Sequence, residues 1–302
     1  MVVNEIIEVL KEGINPALSV VYVVVGGIIS SVFLRKNTAT KEFEKVKAGK
    51  FEEVIDDLLK SGEMTHSEFY KTKNFLSIAR KADEYYSGNC NNSEFNNYDF
   101  DWFMRYYEAA GNVSDEDMQH FWAMILAGEI EHPESFSYKT IDVVRNISRQ
   151  DAELFVEVCS HSMYSFAKQV LIPGDSDYLS NKGIKYSDIM YLSEIGLLFC
   201  EGTIRFDVVI DSRQQPILRN KNIVITVSDI EGKKSQLSLR TYPFTRAGIE
   251  LSNIINKFAS EEDLIEYGRI ASKLYKKYHF ELHRIIELSG NEITYKDENL
   301  LK

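Results

Sequence analysis

"EEDLIEYGRIASKLYKKYHFELHRIIEL", residues 261–288, decides the fold. It reads as one long charged helix, with Glu261, Glu262, Asp263 and Glu266 ahead of a basic stretch at Lys273, Lys276 and Lys277. On such a helix His279 and His283 lie four apart on one face, as a zinc pair would. Glu281 falls about 200° round the helix from His279, on the far side. No third ligand is visible, so the segment reads as a surface helix and not as a metal site.

Working back from it, "TRAGIELSNII" opens a helix with Thr245 as its cap. Ahead of it, "TIRFDVVI", "NIVITVSDI" and "SQLSLRTYPF" alternate like strands. A short helix, "YSDIMYLSEIGLLF", precedes those and ends at Gly196. Helix, short strands and return helix together read as a winged-helix-like α+β unit over residues 173–302.

Residues 37–172 read as a multi-helix domain. Thr65 with Glu68 three residues on marks a capping box, and Ser148 with Asp151 opens the helix entered at "RQDAELFVEVCSHSMYSFAKQVL". Between them, "FDWFMRYYEAAGNVSDEDMQHFWAMILAGEI" divides into two helices, the second capped by Ser114, with Trp102, Tyr106, Phe121 and Trp122 as aromatic core. Glu129, near the end of an apolar helix, pairs with a cation such as Arg105 and fixes the corner between the two helices. Glu129-Ile-Glu131-His132 contains one Glu-x-x-His, but a di-iron bundle needs a second such motif and two further carboxylates. The motif reading is therefore structural: Trp102, Arg105, Trp122, Glu129 and Ser137.

Residues 1–36 read as a membrane anchor. "ALSVVYVVVGGIISSVFL", 17–34, carries no charge and as a helix spans roughly 27 Å, close to a bilayer's hydrocarbon thickness. Arg35, Lys36, Lys41, Lys45, Lys47 and Lys50 follow it while Lys11 alone precedes it, which predicts a single span in the bacterial inner membrane with the C-terminal part cytoplasmic. Gly26 with Ser30, and Gly27 with Ser31, form a small-residue stripe suited to self-association in lipid. The expected architecture is thus mainly α: a transmembrane helix, a helical cytoplasmic domain and the winged-helix-like end.

Composition narrows the function. A formal net charge of −11 opposes binding to nucleic-acid backbone. Cys90, Cys159 and Cys200 are odd in number and scattered, as reduced thiols are. No nucleophile elbow, phosphate loop, dinucleotide fingerprint or Cys-His pair occurs, so no catalytic residue, metal or cofactor is assigned. The expectation is a non-enzymatic, membrane-anchored sensor or effector acting through a protein partner or self-association. A winged-helix DNA-binding regulator is the alternative, and a hydrolase with an unrecognised site is the second.

"DWFMRYYEAAGNVSDEDMQHFWAMILAGEI", then a proline and "SFS", then "DAELF", "LSEIGLL" and "FTRAGIEL", resembles a bacterial family known as a domain of unknown function. It is also similar, more distantly, to the abortive-infection-alpha proteins of phage resistance. The resemblance covers roughly residues 70–285 and is most specific from Trp102 to Ser137. It implies a helical domain, a winged-helix-like end and a loose link to phage defence, and it brings no catalytic residues. Family members often have Pro-Gly before the Ser-Phe-Ser turn, where this chain has Pro133-Glu134.

Overall fold

A computed structural model describes residues 56–57, 59–62, 64–85, 99–166, 169–200, 205–289 and 292–301. The chain packs as two units, Met1–Arg145 and Asn146–Lys302.

In the first unit, α1 (His66–Tyr85) packs along α3 (Glu116–Glu131) and α2 (Phe100–Ala110), and α4 (Tyr138–Arg145) lies on α2. The starts are set by side chains that satisfy otherwise orphaned backbone N–H groups. Thr65 and Glu68 cap α1 reciprocally. Asp99 accepts from Asp101 and Trp102 at α2. Asp115, one residue beyond the expected Ser114, accepts from Met118 at α3.

The second unit begins with α5 (Arg149–Ser160), capped by Ser148 and Asp151. Then come β1 (Met163–Ser165), β2 (Val170–Pro173), α6 (Ser176–Asn181) and α7 (Tyr186–Glu194). The strands β3 (Arg205–Ile210), β4 (Gln215–Arg219), β5 (Ile223–Asp229) and β6 (Ser235–Pro243) follow, then α8 (Arg246–Ile255), α9 (Glu261–Leu274), β7 (Tyr278–Ser289) and β8 (Glu292–Tyr295). Eight strands form one sheet in the order β3-β6-β2-β1-β4-β5-β7-β8, every neighbouring pair antiparallel.

This corrects the mainly-α expectation: the protein is a mixed α/β chain with nine helices and an eight-stranded sheet among the described residues. The decisive stretch is not one helix. It is helical to Leu274, turns at Tyr275, and continues as β7. The physical reason is a partner distant in sequence: Phe280, Leu282 and Arg284 pair with Val227, Ile225 and Ile223 of β5. Phe280 and Leu282 are buried at a spacing of two, the period of a strand and not of a helix. Gly268 lets α9 close on the new strand, since a Cβ there would stand 2.6 Å from Leu282 Cδ1. The short strands β1 and β2 likewise replace the end of what reads as a single helix from Arg149 to Leu171.

The expected membrane span, residues 17–34 with its stripe of Gly26, Gly27, Ser30 and Ser31, lies outside the described residues. Among the described residues no helix is long and apolar enough to cross a membrane. That finding corrects the membrane-anchored architecture, the single-span inner-membrane location and the membrane as partner: nothing in the described fold serves as an anchor.

Candidate functional site

The corner that the sequence singles out is a structural junction in the first unit. Trp122 is fully buried, and its carbonyl accepts the Tyr106 hydroxyl at 2.7 Å. Tyr106 stacks on Trp102 at 5.2 Å between ring centroids, and Trp102 Nε1 donates to the Phe136 carbonyl at 2.7 Å. Glu129, 4% exposed, turns its carboxylate to the chain that leaves α3: Oε1 accepts from the Glu134 N–H at 2.8 Å, Oε2 from Phe136 at 2.9 Å. These bonds hold a turn in which Glu134 takes φ +69°, a region costly for a residue with a Cβ.

Arg105 lies over the Tyr138 ring, 4.6 Å from its centroid, and Ser137 Oγ is 3.1 Å from Thr140 Oγ1 at the start of α4. The Tyr138 hydroxyl donates to Asp99, and that bond holds the Asp99 carboxyl below its ordinary range. Most of these contacts hold backbone groups or rings. The five residues are brought together as a scaffold.

His279, Glu281 and His283 belong to β7, where residues two apart share a face. The helical argument that separates Glu281 from the histidines therefore fails. Glu281 Oε1 is 3.1 Å from His279 Nε2, and its Oε2 is 3.4 Å from His283 Nε2. Buried His283 also reaches Thr226 Oγ1 of β5 and the Lys296 carbonyl, each at 3.1 Å. The row ties β7 to its neighbours. Among the described residues no group of three or more His, Cys, Asp or Glu is placed to hold a metal ion. Cys159 is buried, and burial pushes its thiol pKa far up, so it is inert.

A different place has the shape of a site. In the second unit a cleft of about 770 Å³ opens between α6, the turn into α7, and β6. Ser176 and Ser180 face it from α6, Lys185 and Tyr186 from the turn and the start of α7, Arg240 and Tyr242 from β6. The pairing of β2 with β6, Pro173 opposite Thr241, brings these segments together. Gly174 allows the close approach: a Cβ there would stand 2.8 Å from Arg240 Cγ and 3.0 Å from the Tyr242 ring. Gly183, at φ +71°, makes the turn from α6 to α7 that only glycine takes without strain.

Behind the wall sits Asp175, 8% exposed, with Oδ2 lacking any hydrogen-bond partner. Burial pushes its pKa up, against the opposing effect of Tyr267, Tyr275 and Arg240. The Thr241 hydroxyl is also buried without a hydrogen bond. Sequence reading missed this cleft. Its signal is the run of small and polar residues from Gly174 to Gly183, which carries no periodic pattern.

A family profile described as "Protein of unknown function (DUF2806)" matches residues 64–267, two thirds of the chain. The chain belongs to this DUF2806 family. The matched residues run from the start of the first unit's helices to Tyr267 in α9, so they include every residue lining the cleft. No curated protein and no solved structure matches. The similarity to abortive-infection proteins rests on the quoted residues alone, and no helix among the described residues supports the reading of the chain as a membrane-anchored sensor or effector.

Proposed function

We propose that the second unit is a non-catalytic recognition module that takes a small ligand into the cleft between α6, α7 and β6. The composition of the lining carries this reading. The volume falls in the range of small-molecule sites, which are concave and mostly apolar with a few placed polar groups. Leu179 and Ile184 supply apolar surface, Tyr186 and Tyr242 aromatic surface, and Lys185 and Arg240 charge. No His, Cys or carboxylate is among the lining residues, and no base stands within hydrogen-bond reach of the Ser176 or Ser180 hydroxyl among the described residues. An activated nucleophile needs such a base, which weighs against a hydrolase built here.

A fragment screen by amide NMR on the full chain tests the reading. Shift changes clustered at 174–186 and 240–242 are expected. Hits that all fall elsewhere overturn it.

A regulator that reads duplex DNA is the second reading, favoured by the pair α6–α7 followed by the antiparallel β3–β6 arm. It ranks second because the exposed face of α7 presents Tyr186, Met190, Tyr191 and Glu194, without a cation for phosphate. Fluorescence anisotropy with duplex DNA at about 50 mM salt decides. A saturable, salt-sensitive complex promotes the second reading to first.

A further inference from the structure

The chain has 46 acidic residues against 35 basic ones, and Lys182, next to the lining residue Gly183, is held by Asp263 and Glu266. Lys185 and Arg240 make no ion pair among the described residues, and both line the cleft. The hydroxyls of Ser176 and Ser180, on the same lining, have no hydrogen-bond partner among the described residues either.

We propose that the cleft binds an organic phosphate, its phosphate group held by Arg240 and Lys185 and its apolar or aromatic body against Tyr186 and Tyr242. The proposal rests on the reading of the cleft as a ligand site. A planar guanidinium fork together with an ammonium point charge matches a phosphate group's several oxygens, and the serine hydroxyls add donors. Phosphate alone would leave most of about 770 Å³ empty. The remaining wall is Leu179, Ile184 and an aromatic corner in which the rings of Tyr186 and Tyr242 stand 6.4 Å apart at 49°. That corner suits a ring or an alkyl body and leaves a free inorganic ion without contacts. A polymer of phosphates does not fit, because the cations stop at the cleft and the outer face of α7 carries none.

Asp175 adds a consequence. It faces Tyr267 of α9, Tyr275 just beyond α9, Arg240 of β6 and Asp177 of its own helix. Arg240 is the cation that favours its ionised form. A ligand that draws on the same guanidinium weakens that compensation, so binding and protonation of Asp175 reinforce each other.

The test is calorimetric titration of the full chain at pH 7 with phenyl phosphate, inorganic phosphate and phenol. Phenyl phosphate is expected to bind more tightly than either of the others. Arg240→Ala and Lys185→Ala should each weaken it by about tenfold, the scale of a lost charge-assisted contact. Lys185→Glu, at an exposed position that leaves the fold intact, should abolish it. Phenol binding as well as phenyl phosphate would keep the cleft as a ligand site and overturn the phosphate. Unchanged affinity in the Arg240 and Lys185 variants overturns it too. Absence of binding by all three probes also sinks the phosphate proposal, while the fragment screen separately judges the cleft.

Discussion

The aromatic corner of the first unit and the cleft of the second treat polar groups in opposite ways. At the corner, buried polar atoms face partners: both oxygens of Glu129 hold backbone N–H groups, and Tyr106 and Trp102 each donate to a carbonyl. The Trp122 indole N–H is the exception. Around the cleft, Asp175 Oδ2 and Thr241 Oγ1 are buried without hydrogen bonds, and Lys185 and Arg240 make no ion pair among the described residues. Leaving such groups unsatisfied costs stability. A fold that satisfies them in one place and not in another marks the second place as one arranged for something besides its own cohesion.

The contrast can be broken by mutation, and the largest effect belongs to the corner. Trp122→Ala empties a fully enclosed site and should cost about 3–5 kcal/mol in urea unfolding. A variant that keeps its melting temperature would remove the corner's standing as a scaffold. Glu129→Ala strands the N–H groups of Glu134 and Phe136, and a loss of about 2–3 kcal/mol is expected, hydrogen bonds to a charged group being of that order.

Asp175→Asn sharpens the other half through pH. The folded pKa of Asp175 is raised, so the folded chain holds its proton to higher pH than the unfolded chain does. Its contribution to stability is therefore best at low pH and declines as pH rises from the ordinary carboxylate range through the raised folded value. The asparagine variant should lose that decline, read as a flatter curve of melting temperature against pH. A curve with unchanged slope would show that Asp175 is ionised without penalty. Lys185→Ala should be the mildest change, within about 0.5 kcal/mol, because an exposed cation without an ion pair contributes little to folding. A larger loss would mean that the cleft is held together by its cations and not reserved by them.

The corner was legible from sequence because its parts are local. Trp102 to Ser137 is one continuous stretch, and its apolar spacing speaks within a few residues, although its second helix is capped by Asp115 and not by Ser114. Ser148, Thr65 and Thr245 were readable as helix starts for the same reason. Strands β3 and β6 declare themselves by alternation, and β5 by a short apolar run. β7 does not, since Tyr278–Ser289 follows a genuine helix without a break in charge pattern, and only its register with β5 reveals it. The cleft is hidden for the same physical reason. Its α6–α7 half and its β6 half are distant in sequence and meet only because β2 and β6 are neighbours.

β6 is also hydrogen-bonded on both flanks, to β3 along one edge and β2 along the other. Its amides should therefore be among the slowest to exchange with solvent deuterium. A visitor to the cleft would meet, on the β6 side, a wall whose backbone is held along both edges, so the geometry of the final pose belongs to the strand.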